Sequence, residues 1–457
     1  MRPFANVAVA ALLSGSLSAQ ATAAAALPRP HIVVLLSDDA GYADFSMHGA
    51  TDLQTPRIDS IAANGIRCSN GYVSACVCSP TRAGLLTGRY QQRFGHEFNF
   101  PAAKSETIGL PVEERTLADH LHAAGYKTMA FGKWHLGYAE HFHPCARGFD
   151  DFWGFLQGSR SYLPLAKSNP LNRLMVDRDA PAESFDYMTD ELGRQAAKAI
   201  AARGKEPLFL YVAFNAVHTP MQATAADLEG TVGPAPRRKL IAMTKALDRA
   251  VGMVLDALGE AGIADDTLVF FLNDNGGATN NASRNGSLRG RKGQHFEGGI
   301  RVPFVAQWPK GLPKGVVCEA PVIALDIAAT SLAAAGAPAP TDRPLDGANL
   351  LPVWRGETKA PPHATLYWRA GDNFALRAGS SKVVRHGANT MLFDLAKDPG
   401  ERDDLAAQEP QRLQELLAQH AAWSKQMAAP RWGNAAANVP DEGAGKEGQA
   451  DKGGKDD

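Results

Sequence analysis

Oxygen-bearing side chains that suit a metal ion occur in two adjacent pairs in this chain of 457 residues. Asp38 and Asp39 form the first pair, and Asp274 and Asn275 form the second. Neither pair has a cysteine or histidine beside it in the sequence, so the nitrogen and sulfur ligands preferred by zinc or copper are missing. Carboxylate and amide oxygens are the donors that calcium and magnesium prefer. The two pairs therefore predict a site for a hard divalent cation.

Positive charges and imidazoles elsewhere in the chain could complete such a site for an anionic substrate. Arg82, Lys133 and Lys292 are candidate cations, while His135 and His218 can move protons near neutral pH. A metal, fixed cations and imidazoles together serve transfer of a tetrahedral oxyanion group, either phosphoryl or sulfuryl. The nucleophile is not evident from this set. No G-x-S-x-G motif is present, and spacing alone does not single out a serine or threonine.

The candidate residues follow apolar segments that are typical of buried strands. Residues 31–37 form an apolar, β-branched run before Asp38, and comparable runs precede Lys133, His218 and Asp274. The run before His218 predicts a strand that ends at His218 itself. Helical patterns alternate with these runs, which predicts an α/β fold with a mainly parallel sheet. Ligands bind at the carboxyl ends of the strands in such sheets, so the candidates are expected to meet there.

The start of the chain and the part after residue 350 differ from this pattern. Residues 1–23 combine a basic start, a short apolar run and A-x-A sites, which predicts a cleaved secretory leader and a periplasmic or secreted protein. No later segment is long and apolar enough to predict a membrane span. Residues 351–430 read as short strands with tight turns and then an amphipathic helix, which predicts a smaller antiparallel subdomain. Residues 433–457 are rich in glycine, alanine and charge, which predicts a disordered tail.

Composition limits the classes of partner and cofactor. The formal net charge of −1 shows no basic excess of the kind that nucleic-acid binding requires. The number of cysteines is odd, so at least one is unpaired, modified or paired between chains: Cys68, Cys76, Cys78, Cys145 and Cys318. No C-x-x-C pair is present, and the C-x-C pair at Cys76 and Cys78 is poorly spaced for a metal. The sequence leaves any disulfide pairing open.

The segment that begins at Cys78 resembles a known signature. Cys78-Ser79-Pro80-Thr81-Arg82, followed by AGLLTGR at 83–89, is similar to the C-x-P-x-R and L-T-G-R pattern of the type I, formylglycine-dependent sulfatases. Further motifs resemble that family in the same order: SDDAGYAD at 37–44, GKWHLG at 132–137, HTP at 218–220, NDNGG at 273–277 and LRGRKGQHFEGGIRVP at 288–303. The resemblance implies an alkaline-phosphatase-like fold, in which helices sandwich a mixed, largely parallel sheet. Its catalytic domain would span residues 30–350.

The resemblance also implies a nucleophile and a metal. Cys78 fits the position that is oxidised to formylglycine, because it has proline at +2 and arginine at +4, whereas Cys76 does not. A maturation enzyme is implied as a partner, and the hydrated aldehyde would supply the attacking hydroxyl and an internal route for releasing sulfate. Calcium is favoured over magnesium as the metal. Its implied ligands are Asp38, Asp39, Asp274, Asn275 and residue 78.

Roles for the cations and histidines follow from the same resemblance. Arg82 is implied to hold the nucleophile, and Lys133 and Lys292 to neutralise charge on the transferring group. His135 is implied to accept a proton during sulfate release, and His218 to protonate the leaving oxygen. The residues implied or predicted to contact substrate are Lys133, Lys292, His218 and His96.

The implied activity is hydrolysis of an organic sulfate ester, and the predicted export favours a sulfated carbohydrate over a small aryl sulfate. A phosphonate or phosphodiester hydrolase is an alternative, because relatives on this fold share the formylglycine and the metal site. A glycan-binding protein with a dead site is a third hypothesis. It is disfavoured because every catalytic position of the motifs is filled. Thr81 departs from the commoner serine of the signature. Residues 281–283, Asn-Ala-Ser, match a glycosylation acceptor but are interpreted as part of an active-site loop.

Overall fold

A computed structural model describes residues 29–99 and 107–433. The predicted leader at 1–23 and the predicted tail beyond residue 433 lie outside these described residues. The helices of the described part are α1 Pro56–Ala63, α2 Cys78–Thr87, α3 Leu117–Ala123, α4 Met188–Ala201, α5 Ala225–Leu228, α6 Ala235–Glu260, α7 Glu297–Ile300, α8 Asp326–Ala335, α9 Leu351–Trp354 and α10 Pro410–Ser424. The strands are β1 His31–Ser37, β2 Ile66–Cys68, β3 Gly71–Tyr72, β4 Lys127–Lys133, β5 Asp151–Phe155, β6 Met175–Val176, β7 Leu208–Ala213, β8 Thr267–Asn273, β9 Phe304–Gln307, β10 Val316–Cys318, β11 Val322–Ile323, β12 Thr365–Ala370, β13 Asn373–Ala378, β14 Ser381–His386 and β15 Asn389–Asp394.

The main sheet is largely parallel, as predicted. Its nine strands run in the order β10-β2-β9-β8-β1-β7-β4-β5-β6. The five central strands, from β8 to β5, are all parallel to one another. Strand β9 is antiparallel to both of its neighbours, and β6 is antiparallel at the other edge. The sheet is therefore mixed, with a parallel centre that places the carboxyl ends of β1, β4, β7 and β8 at one edge.

Strand β1 shows why the sheet forms its core on both faces. Ile32, Val34 and Leu36 pack in one apolar cluster with side chains from α2, α3 and α8. Val33 and Leu35 point to the opposite face and pack with α1, α4 and α6. Because successive side chains alternate between the faces, a strand buried on both sides needs an unbroken apolar run. That is the run visible in residues 32–36.

The strand register brings the candidate residues together. Ser37 at the end of β1 pairs with Asn273 at the end of β8, so Asp38 and Asp274 leave the sheet side by side. The prediction that a strand ends at His218 is wrong, because β7 ends at Ala213. The chain between them stays buried as a loop, and Val217 N–H donates to Asp38 O at 2.6 Å. An apolar run that is buried as a loop has the same composition as one buried as a strand.

The predicted antiparallel subdomain is also present. Strands β12, β13, β14 and β15 form a four-stranded antiparallel sheet in sequential order, and α10 packs on it. Helix α9 lies within the predicted range but packs on the main core, where Trp354 contacts Phe270 at a ring distance of 6.1 Å. The boundary at residue 351 stays a prediction.

A buried ionic cluster joins this subdomain to the main sheet. Lys382 Nζ on β14 lies 2.7 Å from Glu297 Oε1 and 2.8 Å from Glu401 Oε1, and all three side chains are inaccessible to solvent. Glu297 also accepts a hydrogen bond from Tyr72 Oη at 2.7 Å. Its N–H donates to Glu401 Oε2 at 2.6 Å. Because Glu297 begins α7, the cluster ties the C-terminal sheet to the 288–303 motif, which also contains Lys292.

Within residues 29–99 and 107–433, none of the helices combines the length and the apolar character needed to cross a membrane.

Candidate active site

Cys78 and Arg82 project from the same face of α2, because four residues make slightly more than one helical turn. Cys78 is the first helical residue, and Pro80 lies in the first turn, where a missing N–H breaks no helical hydrogen bond. The N–H of Ser79 is satisfied by Asn99 Oδ1 at 3.0 Å. All ten residues of the helix are buried. The C-x-P-x-R spacing thus directs the thiol and the guanidinium into the interior.

Two buried cations face two of the predicted metal-binding carboxylates. Arg82 donates from Nε and Nη2 to Asp274 Oδ2 at 3.1 and 2.9 Å. Its Nη1 also donates to Lys133 O at 2.9 Å. Lys133 Nζ donates to Asp38 Oδ2 at 2.5 Å. Solvent reaches none of these side chains, so their charges interact with little screening.

Asp39 adopts a backbone conformation that is uncommon for a residue with a side chain, with φ at 61°. Its carboxylate accepts hydrogen bonds from Lys292 Nζ and Asn275 Nδ2, each at 2.8 Å. Its carbonyl accepts two more, from Asn281 Nδ2 at 3.0 Å and Ser283 Oγ at 2.8 Å. The segment 281–283 therefore belongs to the site, as interpreted from the sequence. Asn281 is fully buried and is not accessible for glycosylation in the folded chain.

The donors fit a hard cation. Ligand atoms of Asp38, Asp39, Cys78 and His218 all lie within 4.8 Å of one another. Asn275 uses its Nδ2 as a donor, but its Oδ1 is buried without a hydrogen-bond partner in the described part of the chain. A buried acceptor is costly unless something binds it, and amide and carboxylate oxygens are calcium ligands. The structure also brings into this group His218, which the sequence indicated as a proton carrier rather than as a metal ligand.

The carboxylates differ in how strongly they hold a proton. Burial opposes ionisation of Asp38, but Lys133, His218 and Arg82 together outweigh it and hold the pKa of Asp38 below its usual range. Burial and the neighbouring charge of Asp38 raise the pKa of Asp274 to about 6, although Arg82 opposes this rise. A bound cation would favour the ionised form of both groups.

Cys78 is not an activated thiol. Its Sγ lies 3.7 Å from Asp38 Oδ1. Burial and the charge of Asp274 raise the pKa of the Cys78 thiol well above its usual value, despite the nearby Lys133 and Lys292. Reactive cysteines require the opposite shift, because the thiolate is the nucleophile. An unmodified cysteine at this position is therefore a poor nucleophile.

His218 is oriented by its own loop. Its Nδ1 lies 2.7 Å from Thr219 O, and because a carbonyl only accepts, Nδ1 carries a proton. Its Nε2 lies 3.5 Å from a carboxylate oxygen of Asp39. Burial lowers the pKa of His218, but the charges of Asp39 and Asp38 together more than offset this, so the pKa is raised overall. Tyr162 Oη contacts the carbonyls of His218 and Asn215 at 2.8 and 2.5 Å and fixes the loop.

His135 and His96 both contact the first turn of α2 through Ser79. Ser79 Oγ lies 2.7 Å from His135 O and 2.7 Å from His96 Nε2. His135 has a φ of 57° and lies directly against Gly158, where a side chain's Cβ would come within 2.6 Å of the imidazole ring. His96, predicted to contact substrate, is fully buried, and burial lowers its pKa to about 3.

The segment that carries Lys292 is anchored beside Cys76. Gly293 N–H donates to Cys76 O at 2.8 Å, next to Lys292. Cys76 Sγ lies 3.6 Å from His295 Nε2. Burial raises the pKa of Cys76 to about 12 and lowers that of His295 to about 3, so the two form a neutral pair. Cys76 therefore connects the signature segment to the loop that carries Lys292.

Sequence reasoning assigned no role to two residues that support the site: Ser79 and Asn99. Each forms a hydrogen bond with a backbone group: Ser79 with the carbonyl of His135, and Asn99 with the N–H of Ser79. No spacing rule marks such residues, because their partners are decided by packing.

The fold and the site together define an alkaline-phosphatase-like α/β hydrolase that transfers a tetrahedral oxyanion group. Residues 30–337 match the family described as Sulfatase. Residues 291–426 match the family described as N-sulphoglucosamine sulphohydrolase, C-terminal. The chain belongs to the Sulfatase family and is a sulfuric ester hydrolase.

Individual relatives agree with this assignment. N-acetylgalactosamine-6-sulfatase from Homo sapiens is 31% identical over 436 residues, covering 82% of this chain and 81% of the relative. Arylsulfatase A from Bos taurus is 34% identical over 459 residues, covering 86% of this chain and 87% of the relative. The crystal structure of Ps i-CgsB in complex with k-i-k-neocarrahexaose has a TM-score of 0.84 and 33% identity, covering 89% of this chain and 95% of that chain. The family indicated by the motifs at Cys78 is confirmed.

Proposed function

We propose that this sulfatase removes sulfate from a sulfated carbohydrate, with residue 78 as the nucleophile after oxidation to formylglycine. The observation that carries the proposal is the position of Cys78 within the group of ligand atoms that lie within 4.8 Å of one another. Arg82, Lys133 and Lys292 are each bonded to a carboxylate beside it. Three cations thus balance three carboxylates. A bound divalent cation would leave the pocket positive and attractive to a sulfate monoester.

The raised pKa of the Cys78 thiol supports a modified nucleophile, since the thiol itself would remain protonated at neutral pH. Hydrated formylglycine supplies a hydroxyl for attack and a second oxygen for sulfate release, whereas a plain serine would be left as a stable sulfate ester. The complete C-x-P-x-R pattern supports recognition by a formylglycine-generating enzyme, which is the proposed maturation partner.

Calcium is the proposed metal, held by Asp38, Asp39, Asp274, Asn275 and residue 78. The unpaired Asn275 Oδ1 supports this choice, since it has no other group to bind in the described part of the chain. When bound, the ion would stabilise negative charge on sulfate oxygens and lower the pKa of a hydroxyl at residue 78. Magnesium is less suited to a site made mostly of protein oxygens, because it keeps several of its waters.

Each side chain of the site has a proposed role. Arg82 holds Asp274 through two hydrogen bonds and orients residue 78 one helical turn away. Lys133 and Lys292 neutralise charge on the transferring sulfuryl group. His218, with Nδ1 bonded to its own loop, donates from Nε2 to the leaving sugar oxygen. His135 accepts a proton during sulfate release.

The carbohydrate substrate is supported by the relatives. One is named for a sulfated amino sugar, and a solved neighbour of the same fold was crystallised with a neocarrahexaose. The similarity to arylsulfatase A keeps a small aryl sulfate as the competing substrate class. The leader pattern at residues 1–23 supports action in the periplasm or outside the cell, where polysaccharides are found.

Two measurements on one preparation test the proposal. In protein from a host with the maturation enzyme, the peptide containing residue 78 should weigh about 18 Da less than with cysteine, as the proposed aldehyde requires. The same preparation should release sulfate from sulfated oligosaccharides with a higher kcat/KM than from p-nitrophenyl sulfate or bis-p-nitrophenyl phosphate. The Cys76→Ala variant is the matched control, because it changes a neighbouring thiol outside the +2 and +4 pattern.

Each alternative has its own signature in these data. An unmodified cysteine in an active preparation would refute the formylglycine nucleophile. A preference for bis-p-nitrophenyl phosphate would identify the phosphodiesterase alternative. A preference for p-nitrophenyl sulfate would identify the arylsulfatase alternative. Glycan binding without turnover, in protein that carries the aldehyde, would indicate a dead site.

A further inference from the structure

Ser79 connects three segments at the first turn of the signature helix. Its Oγ lies 2.7 Å from His135 O, in the turn after β4, and 2.7 Å from His96 Nε2. All three of these side chains are buried, and Ser79 and His96 are fully so. Ser79 is directly adjacent to the proposed nucleophile, but its hydroxyl is engaged with protein groups on both sides.

The direction of these hydrogen bonds follows from the chemistry of the partners. A carbonyl oxygen has no hydrogen to give, so Ser79 must donate its single hydroxyl hydrogen to His135 O. The contact with His96 then requires Nε2 of the imidazole to donate to Ser79 Oγ. His96 is thereby held as the Nε2–H form, and the path of donation runs from His96 through Ser79 to the backbone of His135.

The backbone of His135 is the part of this segment that needs support. Its φ of 57° lies in the left-handed region, which residues with a Cβ seldom adopt. The His135 N–H donates to Leu156 O at 3.1 Å, and Ser79 holds its carbonyl. The ring lies against Gly158, where no other residue leaves room. These contacts together set the direction in which the imidazole leaves the turn.

His96 is held from its far side by the end of the described chain. Its ring packs edge-on against Trp432 at a centroid distance of 4.8 Å. Trp432 Nε1 donates to Phe98 O at 2.9 Å, and Arg431 N–H donates to Gly95 O at 2.9 Å. A side chain fixed in this way is suited to holding another residue in place and poorly suited to adapting to a sugar.

We infer that Ser79 and His96 are positioning residues that hold the strained turn of His135 in place, and that His96 acts through Ser79 rather than by contacting substrate. This inference deepens the proposed function and rests on the proposed role of His135 as the proton acceptor in sulfate release. A displaced His135 would slow release of sulfate while leaving substrate binding and the first chemical step largely intact.

Four variants test the inference, with His135→Ala as the reference for loss of the proton acceptor. Ser79→Ala and His96→Leu remove the two links, and His96→Gln keeps an N–H donor. Thr81→Val is the matched control, because it removes a buried hydroxyl of the same helix that bonds Ala75 O and Val77 O instead of His135. Aldehyde content is measured for each by the mass of the residue-78 peptide, and rates are expressed per aldehyde.

With p-nitrophenyl sulfate, Ser79→Ala and His96→Leu should lower kcat by about tenfold or more, the cost of losing one well-placed hydrogen bond. Because substrate binding and the first chemical step are unchanged, kcat/KM should stay within about twofold of the wild type, and KM should fall together with kcat. Both should show a rapid burst of nitrophenol close to one equivalent per aldehyde before the slow steady state, and His135→Ala should show the same burst. His96→Gln should recover most of the lost kcat. Thr81→Val should stay within about twofold of the wild type, because its hydroxyl has no contact with the turn of His135.

The outcomes separate this inference from the proposed function. An unchanged kcat in both Ser79→Ala and His96→Leu, with His135→Ala impaired, would refute the positioning role and leave the proposed mechanism intact. A raised KM at unchanged kcat in His96→Leu would show that His96 contacts substrate, as the sequence predicted. Unimpaired turnover in His135→Ala would refute the role of His135 and this inference together. Because His96→Leu leaves the C-x-P-x-R segment untouched, a maturation defect in Ser79→Ala does not remove the test.

Discussion

Replacing Lys382 with methionine should destabilise the folded chain strongly, because it removes the cation that two buried carboxylates share and leaves Glu297 with Arg301 Nη1 at 3.4 Å. Lys382 Nζ lies within 2.8 Å of both Glu297 and Glu401, and solvent reaches none of the three side chains. Methionine preserves most of the volume, so the loss is mainly electrostatic. Removing one partner of a buried ion pair typically costs about 3–5 kcal/mol. The free energy of unfolding of Lys382→Met should fall by about this amount near neutral pH.

The loss of unfolding free energy in Lys382→Met should grow as pH rises. Burial raises the pKa of Glu401 to about 7 even with Lys382 present, and Lys382 is the main cause that lowers the pKa of Glu297 against burial. Without Lys382, the pKa of Glu401 rises further above the unfolded value of about 4.3, and the pKa of Glu297 shifts from below that value to above it. A carboxyl group with a raised folded pKa contributes stability at low pH and loses it as pH rises through that pKa. The difference between variant and wild type should therefore widen from about pH 5 to pH 8.

Urea unfolding at about pH 5.5 and pH 8, followed by tryptophan fluorescence, measures this difference. The matched control combines Lys382→Met with Glu297→Gln and Glu401→Gln. This control removes all three charges, so it should recover much of the lost stability and show little added pH dependence. A destabilisation below about 1 kcal/mol, or one that shrinks as pH rises, would refute the assignment of this cluster as a charge-balanced junction.

Four further predictions concern the site. Asn275→Ala should raise the calcium concentration needed for half-maximal activity by about tenfold, because it removes an oxygen ligand; a calcium titration of chelator-treated enzyme that matched the wild type would contradict the ligand assignment. Cys78→Ala should abolish turnover, while Cys76→Ala should keep both the modified peptide and most activity, and equal losses in the two would argue against a unique nucleophile. His218→Asn should lower kcat for a sugar sulfate by about 10²–10⁴-fold, but much less for p-nitrophenyl sulfate, whose leaving group needs no proton; parallel losses on both substrates would exclude the proton-donor role. Asn281→Ala should lower the free energy of unfolding by about 1–3 kcal/mol, since it leaves a buried carbonyl at Val217 without its donor; an unchanged urea midpoint would show that the bond contributes little.

Much of the fold followed from local pattern. The apolar run at 31–37 predicted a strand, and the paired Asp38 and Asp39 after it predicted a polar strand end. The same reasoning applied to β4 with Lys133 and to β8 with Asp274, and all three strand ends meet at one edge. The reason is geometric: parallel strands joined by helices must bring their carboxyl ends to the same side.

Local pattern was less informative where the chain is buried without regular structure. It placed the end of β7 at His218, whereas the strand stops at Ala213 and His218 is held by contacts with Asp39, Thr219 and Tyr162. An apolar segment buried as a loop carries no periodicity that separates it from a strand. The Asn-Ala-Ser segment was correctly interpreted as part of the site, but its partners at the Asp39 and Val217 carbonyls were visible only in the structure.

The sequence by itself determined the strand–helix order, the nucleophile candidate and the residues that could hold a metal, because each depends on spacing within one element or on residue type. Only the tertiary structure decided that Asn275 Oδ1 is left unpaired within the described residues, that Lys382 bridges two glutamates, and that His96 binds Ser79. These facts depend on segments that are far apart in the chain and meet through packing. Residues that hydrogen-bond to backbone groups of a distant segment follow no periodic pattern in the sequence, so the sequence alone does not identify them.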